Sequence, residues 1–272
     1  MSWNIESSNL LNLQPEIKEE DDFAGDEYRV DRADEFYCGY DSTWETKEKE
    51  SVKINEFHQY WYGKYEKLER VHTFIQWLFP LQEPGMNYQA KTLTKEEIQE
   101  FLDSEKAKQN LLRSYKLMLD FYGIELKDEK TGDVQRASNW RERFQNLNCH
   151  KHNNLPITRI LKCLGTLGYP KFQYPLVRFF LEETLVKGEL PNVKDSALSY
   201  FVFAVLSKQE RRKLLRFAFQ HYEPKEEFVW CPKKVQNVWL GHRVEQNCMR
   251  NGRVGATFQE RFKAKKGFCD TS

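Results

Sequence analysis

Apolar residues recur at spacings of three and four through the middle of the chain, the period of helices with one buried face. Phe57, Tyr60 and Trp61 open the series, and Gly63 breaks or bends that stretch. Leu68, Val71, Ile75 and Leu78 follow as one helix. Pro80 ends it, because proline lacks the N–H and its ring clashes with the preceding turn. Thr94-Lys95-Glu96-Glu97 is a capping box, with hydroxyl and carboxylate each satisfying the other's backbone N–H. The helix it starts carries Ile98, Phe101 and Leu102, then Leu112, Tyr115, Leu119 and Tyr122, and Gly123 is placed for a left-handed cap. Residues 103–110 are polar apart from Ala107, so the helix bends or is exposed there.

Asn139 caps a short helix bearing Trp140, Phe144 and Leu147. Pro156 and Pro175 open two further helices, stopped by Gly168 and Gly188. The helix that starts at Asp195 or Ser196 is apolar almost all round as far as Leu206, which places it at the centre of a bundle. Ser207-Lys208-Gln209-Glu210 is a second capping box, opening a basic helix that ends near His221. Alternation of period two is scarce. The pattern predicts an all-α fold, a compact bundle of seven to nine helices packed ridges into grooves.

Charge divides the chain. The whole holds 42 Lys+Arg and 41 Asp+Glu, a net of +1. That average argues against a strongly basic nucleic-acid binder. Residues 1–50 hold 15 acids and 5 bases, a net of −10, and are poor in large aliphatic side chains. They read as a disordered acidic arm. Residues 51–232 carry +5 and form the folded domain. Residues 233–272 carry +6 and read as a mostly disordered basic tail. The longest apolar run, Tyr200 to Leu206, has seven residues, too few to span a membrane. The first residues lack a basic stretch followed by an apolar one, so no secretory signal is expected. Six scattered cysteines without a CxxC suit reduced thiols and an intracellular protein.

Chemistry is thinly signalled. GxGxxG, GxxxxGK[ST] and GxSxG are absent, and the six histidines stand apart except in Cys149-His150-Lys151-His152. Those ligands crowd one loop, whereas zinc sites draw on separated pairs, so a polar loop is the better reading. No cofactor, metal or catalytic group is expected. Arg211, Arg212, Lys213 and Arg216 read as a solvated helix face in preference to an import or phosphate-binding patch. Residues 263–266 are the better candidate for import factors. Trp61, Trp77, Trp140 and Trp230 are expected mostly in the core. The loop over 82–90, holding Met86 and Tyr88, is either a connector or a binding loop.

Several segments carry a family resemblance. Ile75-Gln76-Trp77-Leu78-Phe79-Pro80-Leu81 with Gly85-Met86-Asn87 resembles the central motif of the opioid growth factor receptor conserved region. Met118-Leu119-Asp120-Phe121, Asn139-Trp140 with Glu142-Arg143-Phe144, Ile157-Thr158-Arg159-Ile160-Leu161-Lys162, and Glu210-Arg211-Arg212-Lys213-Leu214-Leu215 continue it in order over about residues 53–231. The resemblance implies an intracellular, non-seven-helix, non-enzymatic receptor for the enkephalin-type peptide called opioid growth factor. It also implies a link to growth restraint, residence in cytoplasm and nucleus, and peripheral association with perinuclear membranes. A scaffold that binds other proteins is the alternative. Such a peptide needs an aromatic pocket, a carboxylate for its ammonium and a base for its carboxylate. Met86, Asn87 and Tyr88 are the expected first wall of that site, with Trp140, Arg141 and Arg143 opposite.

Overall fold

The structure, a computed structural model, describes residues 53–87 and 90–241. The acidic arm and the tail beyond 241 lie outside the described residues. The all-α class holds, with twelve α-helices, several of only one or two turns, and one two-stranded hairpin among the described residues. None of these helices is long and apolar enough to cross a membrane.

Three short helices come first: α1 (Ile54–Tyr60), α2 (Tyr65–Arg70) and α3 (Phe74–Leu78). The sequence pattern joins α2 and α3 into one helix, but Val71 turns extended, at φ −109° and ψ 100°. The break swings Phe74 against Phe57 and Trp61, at ring-centroid separations of 5.1 and 5.7 Å. Burying that aromatic face outweighs one turn of helix. Trp77, expected in the core, is instead 58% exposed. Its neighbours on α3, Phe74, Ile75 and Leu78, take the buried face.

The capping box forms as expected. Thr94 Oγ1 accepts from the Glu97 N–H at 3.1 Å, and Glu97 Oε2 accepts from the Thr94 N–H at 2.8 Å. The helix it opens, α4 (Lys95–Asp103), does not merely bend but stops. Ser104 then caps α5 (Glu105–Phe121) by accepting the Ala107 N–H at 3.3 Å. Helix α5 is a core helix, burying Leu111, Tyr115, Leu117, Met118, Leu119 and Phe121.

Gly123, at φ +75°, turns the chain from α5 into the antiparallel strands β1 (Ile124–Leu126) and β2 (Val134–Arg136). Three-residue strands are too short to show alternation, which is why the pattern gave no sign of them. Helix α6 (Trp140–Cys149) follows. Asn139 is not its side-chain cap; its Nδ2 donates to Tyr65 Oη at 2.6 Å and to the Asp120 carbonyl at 3.1 Å.

A 3-10 turn (Lys151–Asn154) leads into α7 (Leu155–Thr166), with Pro156 in its first turn. Helix α8 (Gln173–Leu181) widens into a π turn (Glu182–Val186). The central run is a 3-10 turn (Pro191–Val193), α9 (Lys194–Ser196), a π turn (Ala197–Phe201) and α10 (Val202–Ala204). Ala197, Leu198, Phe201 and Val202 are fully buried in it, as an all-round apolar helix requires. Ser207 caps α11 (Lys208–His221) by accepting the Glu210 N–H at 3.3 Å. The folded region continues past 232. Helix α12 (Lys233–Trp239) is held by Gln236, whose Nε2 donates to the carbonyls of Phe228 at 2.9 Å and Cys231 at 2.8 Å.

Gly123 is where backbone and packing demands coincide. A Cβ there would lie 2.8 Å from Trp140 Cα and 2.9 Å from Arg143 Cβ, on top of the positive φ. Gly123→Ala is expected to cost about 2 kcal/mol or more. Urea unfolding checks this: the midpoint falls with the slope unchanged.

Candidate functional site

Two surfaces carry the residues expected to bind a ligand. The first surrounds Trp140. Arg136 ends β2 and makes a bidentate pair with Glu183 on the π turn, Nε to Oε1 at 2.9 Å and Nη2 to Oε2 at 2.5 Å. The Glu183 side chain is fully buried, and Lys187 Nζ lies 3.1 Å from it. A buried carboxylate needs such partners, because desolvation otherwise penalises its charge. The π turn adds a residue to the helical repeat and so directs Glu183 inward. Hydrogen bonding to Glu183 raises the Arg136 pKa above its ordinary value despite the opposing effect of burial.

Held in this way, the Arg136 guanidinium stands 3.9 Å from the centre of the Trp140 ring. Arg141, exposed on α6, lies 4.8 Å from the same ring and makes no ion pair among the described residues. Glu189, exposed, approaches Arg136 at 3.7 Å. The surface thus offers a half-buried indole, a fixed cation, an uncommitted cation and a carboxylate.

Arg143 departs from its expected place in that wall. It is 4% exposed. Its Nε donates to the Phe121 carbonyl at 2.7 Å and its Nη2 to Asn146 Oδ1 at 3.1 Å. Its guanidinium lies over Tyr65 at 4.4 Å and Phe121 at 4.6 Å. The reason is helical geometry: position 143 lies on the inward face of α6 beside Phe144 and Leu147. Arg143 therefore ties α5 to α6 and is closed to a ligand.

Glu69 gathers the polar groups behind it. It accepts from Asn146 Nδ2 at 3.0 Å and Asn153 Nδ2 at 2.8 Å, with His152 Nε2 at 3.4 Å and His150 Nδ1 at 3.7 Å. The Cys149–His152 loop thus pins α2 to the end of α6. No group of three or more His, Cys, Asp or Glu side chains suited to a metal occurs among the described residues.

The second surface is the loop after α3. The Gln76 side chain clamps it, donating to the Asn87 carbonyl at 2.7 Å and accepting the Asn87 N–H at 3.0 Å. Gly85 lets this clamp close, since a Cβ there would meet Gln76 Oε1 at 1.8 Å. Arg159 donates to the Phe79 carbonyl at 2.7 Å, and Lys162 pairs with Glu83 at 2.7 Å. Met86 is left 59% exposed, and an open cleft of about 500 Å³ is lined by Pro84, Gly85, Asn87, Ala90, Lys91 and Thr92. Tyr88 lies outside the described residues. Asn87 is therefore held against α3, while Trp140 sits against Arg136 of the hairpin, which the π turn holds through Glu183. The two expected walls have different neighbours.

Sequence reasoning did not reach Arg136, Glu183 or Glu189. Lys187 at i+4 from Glu183 was the one local signal. Arg136 is 47 residues from Glu183, so no local spacing could join them. Among the described residues, nucleophilic chemistry has a poor setting in the histidine–serine contact of His58 Nε2 with Ser114 Oγ at 2.8 Å, because Ser114 is fully buried.

An all-helical domain with a preformed aromatic and charged surface is the class defined by this arrangement. The profile of the opioid growth factor receptor (OGFr) conserved region matches residues 34–237, and the chain belongs to that family. It is 56% identical over 187 residues to opioid growth factor receptor-like protein 1 of Mus musculus, covering 69% of this chain and 40% of that protein. It is 56% identical over 180 residues to the opioid growth factor receptor of Homo sapiens, covering 66% of this chain and 27% of that protein. The receptor of Mus musculus is 55% identical over 180 residues, 66% of this chain and 28% of that protein. The chain thus spans well under half the length of these relatives. No solved structure matches it.

Two outcomes follow for the charged groups. Burial pushes the Glu69 carboxyl up, but hydrogen bonds from His152, Asn153 and Asn146 and the charge of His150 outweigh it and bring its pKa down to about 2. A carboxyl lowered from 4.5 in the unfolded chain stabilises the fold above pH 4.5 and loses that contribution as pH falls towards 2. Urea midpoints of wild type and Glu69→Gln should therefore differ at pH 6 and converge towards pH 2. Glu183→Ala, which strips a buried partner from Arg136 and Lys187, is expected to lower stability by about 3 kcal/mol in the same assay.

Proposed function

We propose that the chain carries the ligand-binding domain of an opioid growth factor receptor-type protein, a non-enzymatic receptor acting in cytoplasm and nucleus in growth restraint. The family and the names of the relatives support a peptide ligand. Arg141 is the observation that carries the site: an exposed guanidinium against Trp140, with no carboxylate partner among the described residues. A short peptide brings an aromatic ring, an ammonium and a carboxylate. Trp140 takes the ring, Arg141 the carboxylate and Glu189 the ammonium. Arg136 is held by Glu183 and keeps the indole in place. Import factors fit the basic residues 263–266, which lie outside the described residues.

A second reading, a scaffold for protein partners, is favoured by Trp77 and Met86, large apolar side chains more than half exposed on and beside a clamped loop. Titration calorimetry with an enkephalin-type pentapeptide separates the two. The receptor reading expects saturable heat, weakened about tenfold or more by Trp140→Ala and by Arg141→Ala, about 1.4 kcal/mol each. No heat from the wild-type chain at high micromolar peptide leaves the scaffold. Binding that survives both substitutions moves the site to the Met86–Asn87 loop.

A further inference from the structure

Helix α11 presents cations without local partners. Lys208, Lys213 and Arg216 are exposed on its solvent face and make no ion pair, hydrogen bond or ring contact among the described residues. Arg178 on α8 adds a fourth positive charge at the same flank, its guanidinium 3.2 Å from the Phe217 ring centre. Arg211, by contrast, is spent inside the fold, donating to the Val205 carbonyl at 2.7 Å. At the start of α11, Leu206 is 59% exposed, an apolar spot beside the cations.

The sequence holds a matching segment. Glu16, Glu19, Glu20, Asp21 and Asp22 form the densest acidic run of the chain, within a region of net −10, and Ile17 and Phe23 bracket Glu19 to Asp22. We infer that this segment, residues 16–23, docks on the basic face of α11. Its carboxylates meet Lys208, Lys213 and Arg216, and one of its bracketing apolar side chains covers Leu206.

Charge complementarity selects this occupant. Single exposed ion pairs are weak, so the contact needs a run of acids against a run of cations. Tethering supplies the rest, since a segment on the same chain acts at millimolar effective concentration. The roughly 30 residues between the acidic run and α1 extend to about 100 Å. That is several times the radius of gyration of about 16 Å expected for a domain of this size. The basic residues after 241 are the competing target for the same acids.

Carbodiimide cross-linking of the dilute 272-residue chain tests this, with an equal mixture of ¹⁴N and ¹⁵N chains to separate contacts within and between molecules. Links from residues 16–22 to Lys208 or Lys213, within one isotope, falling several-fold between 50 mM and 500 mM salt, are expected. Links to Lys263–Lys266 alone, links between isotopes alone, or none to α11, overturn the proposal. A second readout does not depend on lysine chemistry. The triple variant K208E/K213E/R216E changes only exposed positions and keeps the fold by circular dichroism. Its cleavage after Glu19 and Glu20 by a glutamate-specific protease is expected to be several-fold faster than in wild type. An unchanged rate overturns the docking.

Discussion

A carboxylate with no access to water has to be neutralised where it stands, and Glu183 is that carboxylate here. Its bidentate pair with Arg136 joins a hairpin strand to a helix end 47 residues further along the chain. The pair fixes the end of β2, the direction of the π turn and the guanidinium that supports Trp140. Lys187 completes the neutralisation from the next turn. The exposed part of the surface, with Arg141 and Glu189, is built outward from that buried pair.

The fold uses arginine in three ways that composition treats as one. Arg143 is buried and knits α5 to α6 through a carbonyl and two aromatic rings. Arg136 is half-buried and rigid. Arg141 is exposed and uncommitted. The planar guanidinium allows all three, because it stacks and hydrogen-bonds at once. Only the third kind has free capacity for a ligand. Burial, not residue type, therefore separates the framework arginines from the exposed one.

The loop after α3 follows a different logic. It has little secondary structure of its own, yet Gln76, Arg159 and Lys162 each fasten it to a helix. Such fastening lowers the entropy lost when a partner is bound. It also explains how Trp77 and Met86 stay exposed within an otherwise ordered region, since the polar clamps and not these side chains hold the loop. The basic face of α11 is a third surface, polar and distinct from both in chemistry.

Helix type, most helix ends and the central apolar run were legible in the sequence, because 3.6-residue periodicity, capping boxes and glycine stops act within a few residues. Thr94, Gly123 and Ser207 mark boundaries by local backbone chemistry, whereas the stop at Ser104 was read only as a bend or an exposed stretch. The family, too, was legible from ordered motifs. What local pattern could not decide was the break at Val71, the outward turn of Trp77, the burial of Arg143 and the pairing of Arg136 with Glu183. Each depends on which distant surface a side chain meets, and burial and ion pairing across tens of residues leave no mark in spacing. The sequence by itself determined an all-helical domain and its family. The tertiary structure alone decided which of its arginines and tryptophans face water, because only packing sets the dielectric and the neighbours of a charge.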